Sequence, residues 1–332
     1  MSNASTICRG RFAPSPTGGL HLGSALVALI AWLSARSQSG SFVWRVEDID
    51  GPRVVAGAVE QQMEEARWLG LDWDEGPDVG GAHAPYEQSL RSPHYEQALA
   101  RLAEKRRLFP CAHSRKDLQE LASAPHGTDR PPPYPKSLRP AVLDANWFEQ
   151  YQTRENHDAA LRFRVNDGGV TFHDAVYAEV VQNVSEEVGD FVLKRKDGVY
   201  AYQLAVVVDD LDMHITEVVR GADLLDSTAR QIQLIQALTG VIPTYAHVPL
   251  LVNEAGEKLS KRDKSITISE LRKAGIQPQA IVGWLAHLVG FLDRPSARTP
   301  SDLVTLFDWH RVHSDNIAVS SSVVEQIRQI NA

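Results

Sequence analysis

Apolar and polar positions in the N-terminal third of the chain follow two alternating periods. Residues 5–12 form a short apolar stretch bounded by glycine and proline, which predicts a strand that leads into a loop. Residues 22–36, 54–69 and 92–108 repeat apolar positions at helical spacing, and residues 42–48 predict a second strand between the first two helices. This order of strand, helix, strand and helix predicts a parallel α/β sheet.

The pattern changes in the middle of the chain. Residues 123–140 are rich in proline and poor in apolar side chains, which predicts a long loop or a local insertion. Residues 161–171 and 190–194 predict strands of an inserted α+β module. Residues 214–220 predict a strand of the resumed α/β pattern, whereas residues 201–209 fit strand or helix equally, because their apolar run is continuous.

The last part of the chain is mostly helical by the same criteria. The sequence Asp226-Ser227-Thr228 predicts the cap of a helix that runs through Leu238 and ends at Gly240. Residues 269–292 predict two short helices, and we expect the tail to be helical as well. These observations divide the chain into the first half of an α/β domain at residues 1–107, an insertion at 108–189, the second half at 190–262 and a helical C-terminal region at 263–332.

Composition changes this picture only by excluding some classes of protein. Of the 332 residues, 43% are hydrophobic and 23% are charged, which is typical of a soluble globular protein. No run of 18 apolar residues occurs and the N-terminus lacks a signal-peptide core, so we expect a cytoplasmic protein with no membrane contact. Cys8 and Cys111 are too few for a disulfide framework. The net charge of −8 does not indicate nucleic-acid binding, although a local basic patch would suffice for it. Basic runs occur at residues 101–107 and 194–196, and each could equally be a solvated face.

A glycine-rich stretch joins the first predicted strand to the first predicted helix. It contains Gly18, Gly19 and Gly23, which let the backbone approach a ligand closely, and the helix N-terminus that follows favours a phosphate. His21 lies at the same point and could donate a hydrogen bond to an α-phosphate as negative charge develops there. Alone, the stretch also fits an ordinary turn with a surface histidine.

A basic cluster follows far downstream, after a turn at residues 253–256. Its lysines could neutralise a departing pyrophosphate in a site from which water is excluded, although the cluster alone fits a solvated charged loop. The pairing with the glycine-rich stretch, in this order, indicates an enzyme that activates a carboxylate with ATP. The basic residues are Lys258, Lys261, Arg262 and Lys264.

The two motifs resemble the HIGH and KMSKS signatures of class I aminoacyl-tRNA synthetases. Together with residues 46–50, 200–210 and 218–223, they resemble the catalytic core of glutamyl-tRNA synthetases over roughly residues 7–265. Three features make the resemblance to glutamyl-Q tRNA(Asp) synthetases closer. The sequence stops at Ala332, short of an anticodon-reading domain. The first motif ends in Ser24, where ordinary glutamyl-tRNA synthetases usually have histidine. Residues 47–53 resemble the EDIDPPR of the glutamyl-Q enzymes.

The resemblance implies a class I Rossmann-type catalytic domain with an acceptor-binding-like insertion, and it also implies the site residues. It assigns a glutamate pocket to Arg11, Ala13, Ser15, Glu47, Tyr202 and Arg220. It assigns ATP binding to Pro14, His21, Gly23, Ser24, Lys258 and Lys261, with His21 and Lys261 as the catalytic residues. The residue types suit the ligand, since arginine forks bind carboxylates and one acid binds the ammonium group. Glu47 could instead cap a turn, Tyr202 could belong to the core, and Arg220 could pair with Asp223.

The chain departs from the family at a zinc site. Many members carry Cys-x-Cys and later Tyr-x-x-x-Cys, whereas this chain has Cys111 and His113 at the first pair and Tyr134 followed by Leu138 at the second. A structural zinc needs four ligands, mostly thiolate or imidazole, so we expect no bound zinc.

The resemblance implies a reaction in two steps. Glutamate and ATP, with Mg²⁺, form glutamyl-adenylate, and an RNA hydroxyl then takes the glutamyl group. The expected partners are L-glutamate and a tRNA(Asp) that carries queuosine at its wobble position, and we expect a monomer. Two alternatives stay open: an ordinary glutamyl-tRNA synthetase that charges the tRNA 3′ end, and an inactive paralogue that binds tRNA or a protein.

Overall fold

A parallel α/β layer forms the centre of the computed structural model, which describes residues 7–113, 117, 133–153, 158–238, 240–257 and 266–330. Strand β1 (Arg9–Phe12) leads into helix α1 (Leu22–Ser37) and then into β2 (Ser41–Trp44), which pairs parallel with β1. The helix is buried along most of its length, since its apolar residues occupy every face. The predicted strand–helix–strand unit is therefore confirmed.

Two further helices complete the N-terminal part. Helix α2 (Ala58–Trp68) begins four residues later than the pattern predicts, because Gly57 precedes it in a left-handed conformation with φ of 76°. Helix α3 (Ser92–Glu104) has proline in its first turn, as predicted, and buries one apolar face, but it ends four residues before the predicted Leu108, which begins a strand.

The middle of the chain forms a separate antiparallel sheet of β3 (Leu108–Cys111), β4 (Ala160–Phe163) and β7 (Phe191–Lys194), in the order β3-β4-β7. The prediction of one strand over residues 161–171 is wrong, because a turn with Gly168 at φ of 94° separates β4 from the strand that begins at Val170. The elements between these strands are α4 (Trp147–Gln152), β5 (Val170–Asp174), β6 (Ala178–Gln182) and α5 (Val184–Glu187).

The α/β pattern resumes with helix α6 (Tyr202–Asp212), so the ambiguous apolar run is a helix. Strand β8 (Glu217–Gly221) follows, and a 3₁₀ turn (Ala222–Ser227) leads into α7 (Thr228–Leu238), β9 (Thr244–Val248) and β10 (Leu251–Val252). The four-stranded sheet has the order β6-β5-β9-β8. Strand β8 also adjoins β1, since Thr216 N donates to Arg9 O at 3.0 Å.

The C-terminal region packs into the same core as α1. It contains α8 (Ile268–Lys273), α9 (Pro278–Leu288), α10 (Pro300–Leu303), β11 (Ile317–Ala318) and α11 (Val323–Ile330), and β11 pairs parallel with β10. Apolar side chains of α1, α8, α9 and α11 share one buried cluster. None of the helices in the described ranges is long and apolar enough to span a bilayer.

Strand pairing crosses the boundary that the sequence predicts between residues 189 and 190. Strand β7, from the predicted second half, pairs with β4 of the insertion, and β5 of the insertion pairs parallel with β9, with Asp174 opposite Tyr245. The division into domains stays a prediction.

Candidate active site

A cavity of about 750 Å³ opens at the carboxyl ends of β1, β2 and β8. Open α/β sheets place ligands in this position. The residues that line the cavity include ten that the sequence singled out: Arg11, Ala13, Pro14, Ser15, His21, Gly23, Ser24, Glu47, Tyr202 and Arg220. Lys258 and Lys261 lie outside the described residues.

Side chains of helix α2 form hydrogen bonds with the backbone of the glycine-rich stretch. Gln62 Nε2 donates to the carbonyl oxygens of Ser15 (3.1 Å) and Gly18 (2.6 Å), and Leu20 N donates to Glu65 Oε2 at 2.6 Å. A β-carbon at Gly19 would lie 2.5 Å from Gln61 Nε2 and 2.8 Å from Glu65 Oε1, so any other residue would displace the ends of these two side chains where the loop crosses the helix.

The N-terminus of α1 faces the cavity. His21 is the residue before the helix, and Gly23 and Ser24 lie in its first turn. A β-carbon at Gly23 would meet no atom within 4 Å, so this part of the cavity is open space beside backbone N–H groups. Such a helix N-terminus suits an anionic phosphate.

Residues that follow the predicted basic segment form hydrogen bonds with this loop. Leu22 N donates to Ile266 O at 3.2 Å, and Ile268 N donates to Leu20 O at 2.8 Å. Ile266 and Leu251 both line the cavity. The chain that follows residues 258–265 therefore lies beside the glycine-rich stretch, some 230 positions later in the sequence, and Leu251, before these residues, lines the same cavity.

A buried network joins Arg11 to Glu47. Arg11 Nε and Arg45 Nη1 both donate to Asp210 Oδ1, at 3.2 and 2.6 Å, and Arg45 Nη2 donates to Glu47 Oε1 at 3.2 Å. Arg11 Nη1 also donates to Val219 O at 2.9 Å. Burial favours a higher pKa for the Asp210 carboxyl, but the charges of Arg11 and Arg45 outweigh burial and hold the pKa below its usual range.

The acid at the cavity wall, Glu47, differs from Asp210 in its balance of charges. Burial raises the pKa of the Glu47 carboxyl, and the charges of Arg45 and Arg11 oppose this shift only in part. The carboxylate has a direct partner on one oxygen, Arg45, and lines the cavity with the rest of its surface. A cationic group in the cavity would therefore find a desolvated acid, which is the role expected of a partner for an ammonium group.

Arg220, on β8, is 4% exposed and donates hydrogen bonds to three uncharged groups. Nη1 donates to Gln231 Oε1 at 2.7 Å, Nη2 to Thr228 Oγ1 at 2.9 Å and Nε to His247 Nε2 at 3.1 Å. Each of these partners is an acceptor that is neutral at this position, so the guanidinium keeps its positive charge at the wall of the cavity. Such a group suits a carboxylate ligand.

The residues of the predicted degenerate zinc motif also come together, at the end of β3. Cys111 Sγ lies 3.5 Å from Tyr134 Oη and 3.8 Å from His113 Nδ1, and Tyr134 Oη donates to Leu138 O at 3.2 Å. The Leu138 side chain packs against Cys111 and Tyr134 in a small apolar cluster. Within the described ranges, no group of three or more His, Cys, Asp or Glu side chains is placed to hold a metal ion.

Several residues that support the site were not predicted from the sequence. These residues are Arg45, Asp174, Asp210, Thr228, Gln231 and His247. The signal that could have found some of them is a charged or titratable residue inside an apolar run, since burial there requires a polar partner. Asp210 follows the apolar run of α6, and His247 lies between Ala246 and Val248 in β9.

Comparison with known proteins gives one family. The family model described as tRNA synthetases class I (E and Q), catalytic domain, matches residues 8–320. The chain is 46% identical over 318 residues to a glutamyl-Q tRNA(Asp) synthetase of Symbiobacterium thermophilum, covering 95% of this chain and 97% of that protein.

Longer relatives match over part of their length. A glutamate–tRNA ligase of Burkholderia mallei is 40% identical over 284 residues, which are 84% of this chain and 57% of the ligase. The crystal structure of a glutamate-tRNA synthetase from Elizabethkingia anophelis superposes with a TM-score of 0.83 at 28% identity, covering 98% of this chain and 70% of that one. The fold is therefore that of the class I synthetases.

Proposed function

This chain belongs to the family of class I tRNA synthetases (E and Q), and from that membership we propose that it activates L-glutamate with ATP and transfers the glutamyl group to queuosine at the wobble position of tRNA(Asp). The observation that carries the proposal is that Arg11, Arg220 and Glu47 line the same cavity, beside the N-terminus of α1. Two arginines suit the two carboxylates of glutamate, one acid suits its ammonium group, and the helix N-terminus suits the phosphates of ATP.

The first step forms glutamyl-adenylate. An α-carboxylate oxygen of glutamate attacks the α-phosphorus of ATP, and the bond to the leaving pyrophosphate breaks. Arg11, Arg220 and Glu47 orient the amino acid, and His21 donates a hydrogen bond to the α-phosphate. Lys258 and Lys261, outside the described residues, are proposed to neutralise the pyrophosphate. The family generally uses ATP with Mg²⁺, and we propose that Mg²⁺ enters with the ATP phosphates.

The second step transfers the glutamyl group to RNA. An RNA hydroxyl oxygen attacks the acyl carbon, the bond to the adenylate phosphate breaks, and AMP leaves. The choice of queuosine is supported by the relative of Symbiobacterium thermophilum, whose name specifies glutamyl-Q and tRNA(Asp) and which matches this chain over nearly its whole length. A base in an anticodon loop is unpaired, and proteins commonly recognise such bases when they are splayed out.

The experiment measures where labelled glutamate is attached. We expect transfer to tRNA(Asp) from cells that make queuosine, and none to the same tRNA without queuosine or after periodate, which destroys the vicinal diol. Glutamate on the 3′-terminal adenosine of tRNA(Glu) would favour the ordinary glutamyl-tRNA synthetase reaction, which the 40% identical glutamate–tRNA ligase makes the second candidate. The absence of glutamate-dependent ATP–pyrophosphate exchange, with and without tRNA, would favour an inactive paralogue.

The amino-acid pocket is tested separately with Arg220→Ala. Loss of a charged hydrogen bond to a buried carboxylate costs about 2–4 kcal/mol, so we expect a loss of about 30- to 1000-fold in kcat/KM for glutamate in pyrophosphate exchange. Arg328→Ala, on the exposed face of α11, is the matched control and should leave the exchange unchanged. Wild-type exchange by Arg220→Ala would remove Arg220 from the pocket.

A further inference from the structure

We propose that Asp174 and His247 form a buried positioning pair that fixes how Arg220 presents its guanidinium to a substrate carboxylate. The inference rests on the proposed role of Arg220 in binding glutamate and adds two residues on neighbouring strands. Asp174 and His247 are both 0% exposed, and Arg220 is 4% exposed. Arg220 lies opposite His247 in the parallel pair β8–β9, while Asp174 ends β5 on the other side of β9.

Asp174 is held in one orientation by backbone N–H groups. Its Oδ1 accepts from Val176 N and Tyr177 N, each at 3.0 Å, and from His247 N at 3.3 Å. Its Oδ2 lies 2.6 Å from His247 Nδ1. A carboxylate fixed in this way has only lone pairs to offer, so the proton of this contact belongs to Nδ1.

The tautomer of His247 follows from its partners: Asp174 lies at Nδ1, and Nε2 meets both Arg220 Nε and the Thr228 hydroxyl, whose Oγ1 is 3.2 Å away and can donate to Nε2. Arg220 Nε always carries a hydrogen, and it donates to His247 Nε2 at 3.1 Å. Nε2 therefore has no proton, and the imidazole is neutral with its hydrogen on Nδ1. Burial lowers the pKa of His247, the contact with Asp174 opposes this shift, and the charge of Arg220 adds to it, so that the pKa stays below its usual value.

This arrangement has two consequences for Arg220. The bonds to His247, Gln231 and Thr228 use three of the five N–H groups of a guanidinium and set the plane of the fork. The remaining N–H groups and the full positive charge are available to a ligand in the cavity that Arg220 lines. A carboxylate in the place of the imidazole would neutralise the guanidinium and compete with the substrate.

The sharpest variant is Asp174→Asn, which keeps the shape of the side chain. The three backbone N–H groups retain the amide oxygen at the Oδ1 position, so the NH₂ group faces His247 Nδ1 and donates to it. The imidazole must then carry its proton on Nε2, where it faces the Nε–H of Arg220. We expect the KM for glutamate in pyrophosphate exchange to rise by at least about tenfold, with kcat and the KM for ATP within about threefold of wild type.

Substitutions of the histidine separate orientation from packing. In His247→Gln, the amide oxygen can accept from Arg220 near the place of Nε2, so the KM for glutamate should stay within about threefold of wild type. His247→Leu fills the space without an acceptor and should raise that KM by at least about tenfold. Asp190→Asn is the matched control, since Asp190 is a buried carboxylate that binds Arg139 and Val165 N away from the cavity. The control should leave the KM unchanged.

A second measurement does not depend on activity. The ¹⁵N chemical shifts of labelled histidine, with the His247 signals identified by their loss in His247→Gln, should report Nδ1–H in wild type and Nε2–H in Asp174→Asn. An Nε2–H tautomer in wild type overturns the proposal, as does an unchanged glutamate KM in both Asp174→Asn and His247→Leu. If wild type lacks glutamate-dependent exchange, the proposed function fails, while the tautomer still tests the positioning pair by itself.

Discussion

At the scale of single residues, a substitution of Gly23 can distinguish an effect on folding from an effect on ligand binding. Alanine suits a helix better than glycine by up to about 1 kcal/mol, and a β-carbon at Gly23 meets no atom of the protein within 4 Å. We therefore expect Gly23→Ala to keep or raise the melting temperature. The added methyl group would occupy space that we assign to ATP, which should raise the KM for ATP by a factor that corresponds to about 1–3 kcal/mol.

The comparison variant is Gly169→Ala, between β4 and β5. Its β-carbon would make an ordinary contact of 3.5 Å with Val181, away from the cavity. Its KM for ATP should equal that of wild type. An unchanged KM in Gly23→Ala would mean that the phosphates do not approach the first turn of α1.

His247 makes a second residue-scale prediction, which concerns stability and pH. Its pKa in the folded protein lies below the ordinary histidine value of 6.5, so in that interval the unfolded chain binds more protons. The contribution of His247 to stability is therefore complete above pH 6.5 and declines as the pH falls from 6.5 toward the folded-state pKa. Chemical denaturation measures the free energy of unfolding of wild type and of His247→Gln. We expect the wild-type value minus the His247→Gln value to become smaller as the pH falls below 6.5.

The groups that surround the imidazole do not mask this effect. His247 contacts Asp174 and Arg220, stacks at 6.4 Å on the ring of Tyr245 and lies in the field of Arg11. Burial favours a higher pKa for Asp174, but the hydrogen bond to His247 holds the pKa below its usual range, so this carboxyl titrates at lower pH than the interval of the test. A difference that grows as the pH falls would contradict the assignment of a neutral imidazole.

At the scale of secondary-structure elements, the end of β3 decides whether the insertion binds zinc. Cys111, His113 and Tyr134 lie together, but Leu138 fills the position where relatives with a zinc site carry the last cysteine, and it packs against Cys111 and Tyr134. Elemental analysis of purified, tag-free protein should find well under one zinc per chain, because a structural site needs four ligands.

A restored ligand gives this prediction its control. Leu138→Cys recreates the Tyr-x-x-x-Cys spacing beside Cys111, so its zinc content after incubation and dialysis should exceed that of wild type. Stoichiometric zinc in wild type would show that three side chains and an outside ligand suffice.

The elements also explain which parts of the site the sequence could predict. The glycine-rich stretch and the helix after it are consecutive in the chain, so local spacing predicts both. Asp174, His247 and Arg220 come from three strands, and only the pairing of β5 and β8 with β9 brings them together. Asp210 is close to Arg11 for a similar reason, because α6 packs near β1 although some 200 residues separate the two side chains. Periodicity contains no information on such long-range pairing.

At the scale of the whole molecule, the N-terminal and C-terminal parts share one core. Buried side chains of α1 and β2 belong to the same cluster as those of α8, α9 and α11. The hydrogen bonds between residues 20–22 and 266–268 join this shared core to the wall of the cavity. We therefore expect the packing of the C-terminal region to stabilise the cavity wall. A substitution that disrupts this packing should also destabilise the glycine-rich stretch.

Ile327 tests this continuity, since it is 0% exposed and lies in α11, at the far end of the chain from β1. Ile327→Ala removes buried methyl and methylene groups and leaves a cavity, which costs about 2–5 kcal/mol in a fully packed core. If the core is continuous, the main unfolding transition followed by circular dichroism shifts to lower denaturant, and pyrophosphate exchange is lost at the same denaturant concentration. Gln329→Ala, exposed on the same helix, should shift neither. A separate early transition in Ile327→Ala, with the exchange activity unchanged, would instead mean that α11 unfolds independently of the catalytic part.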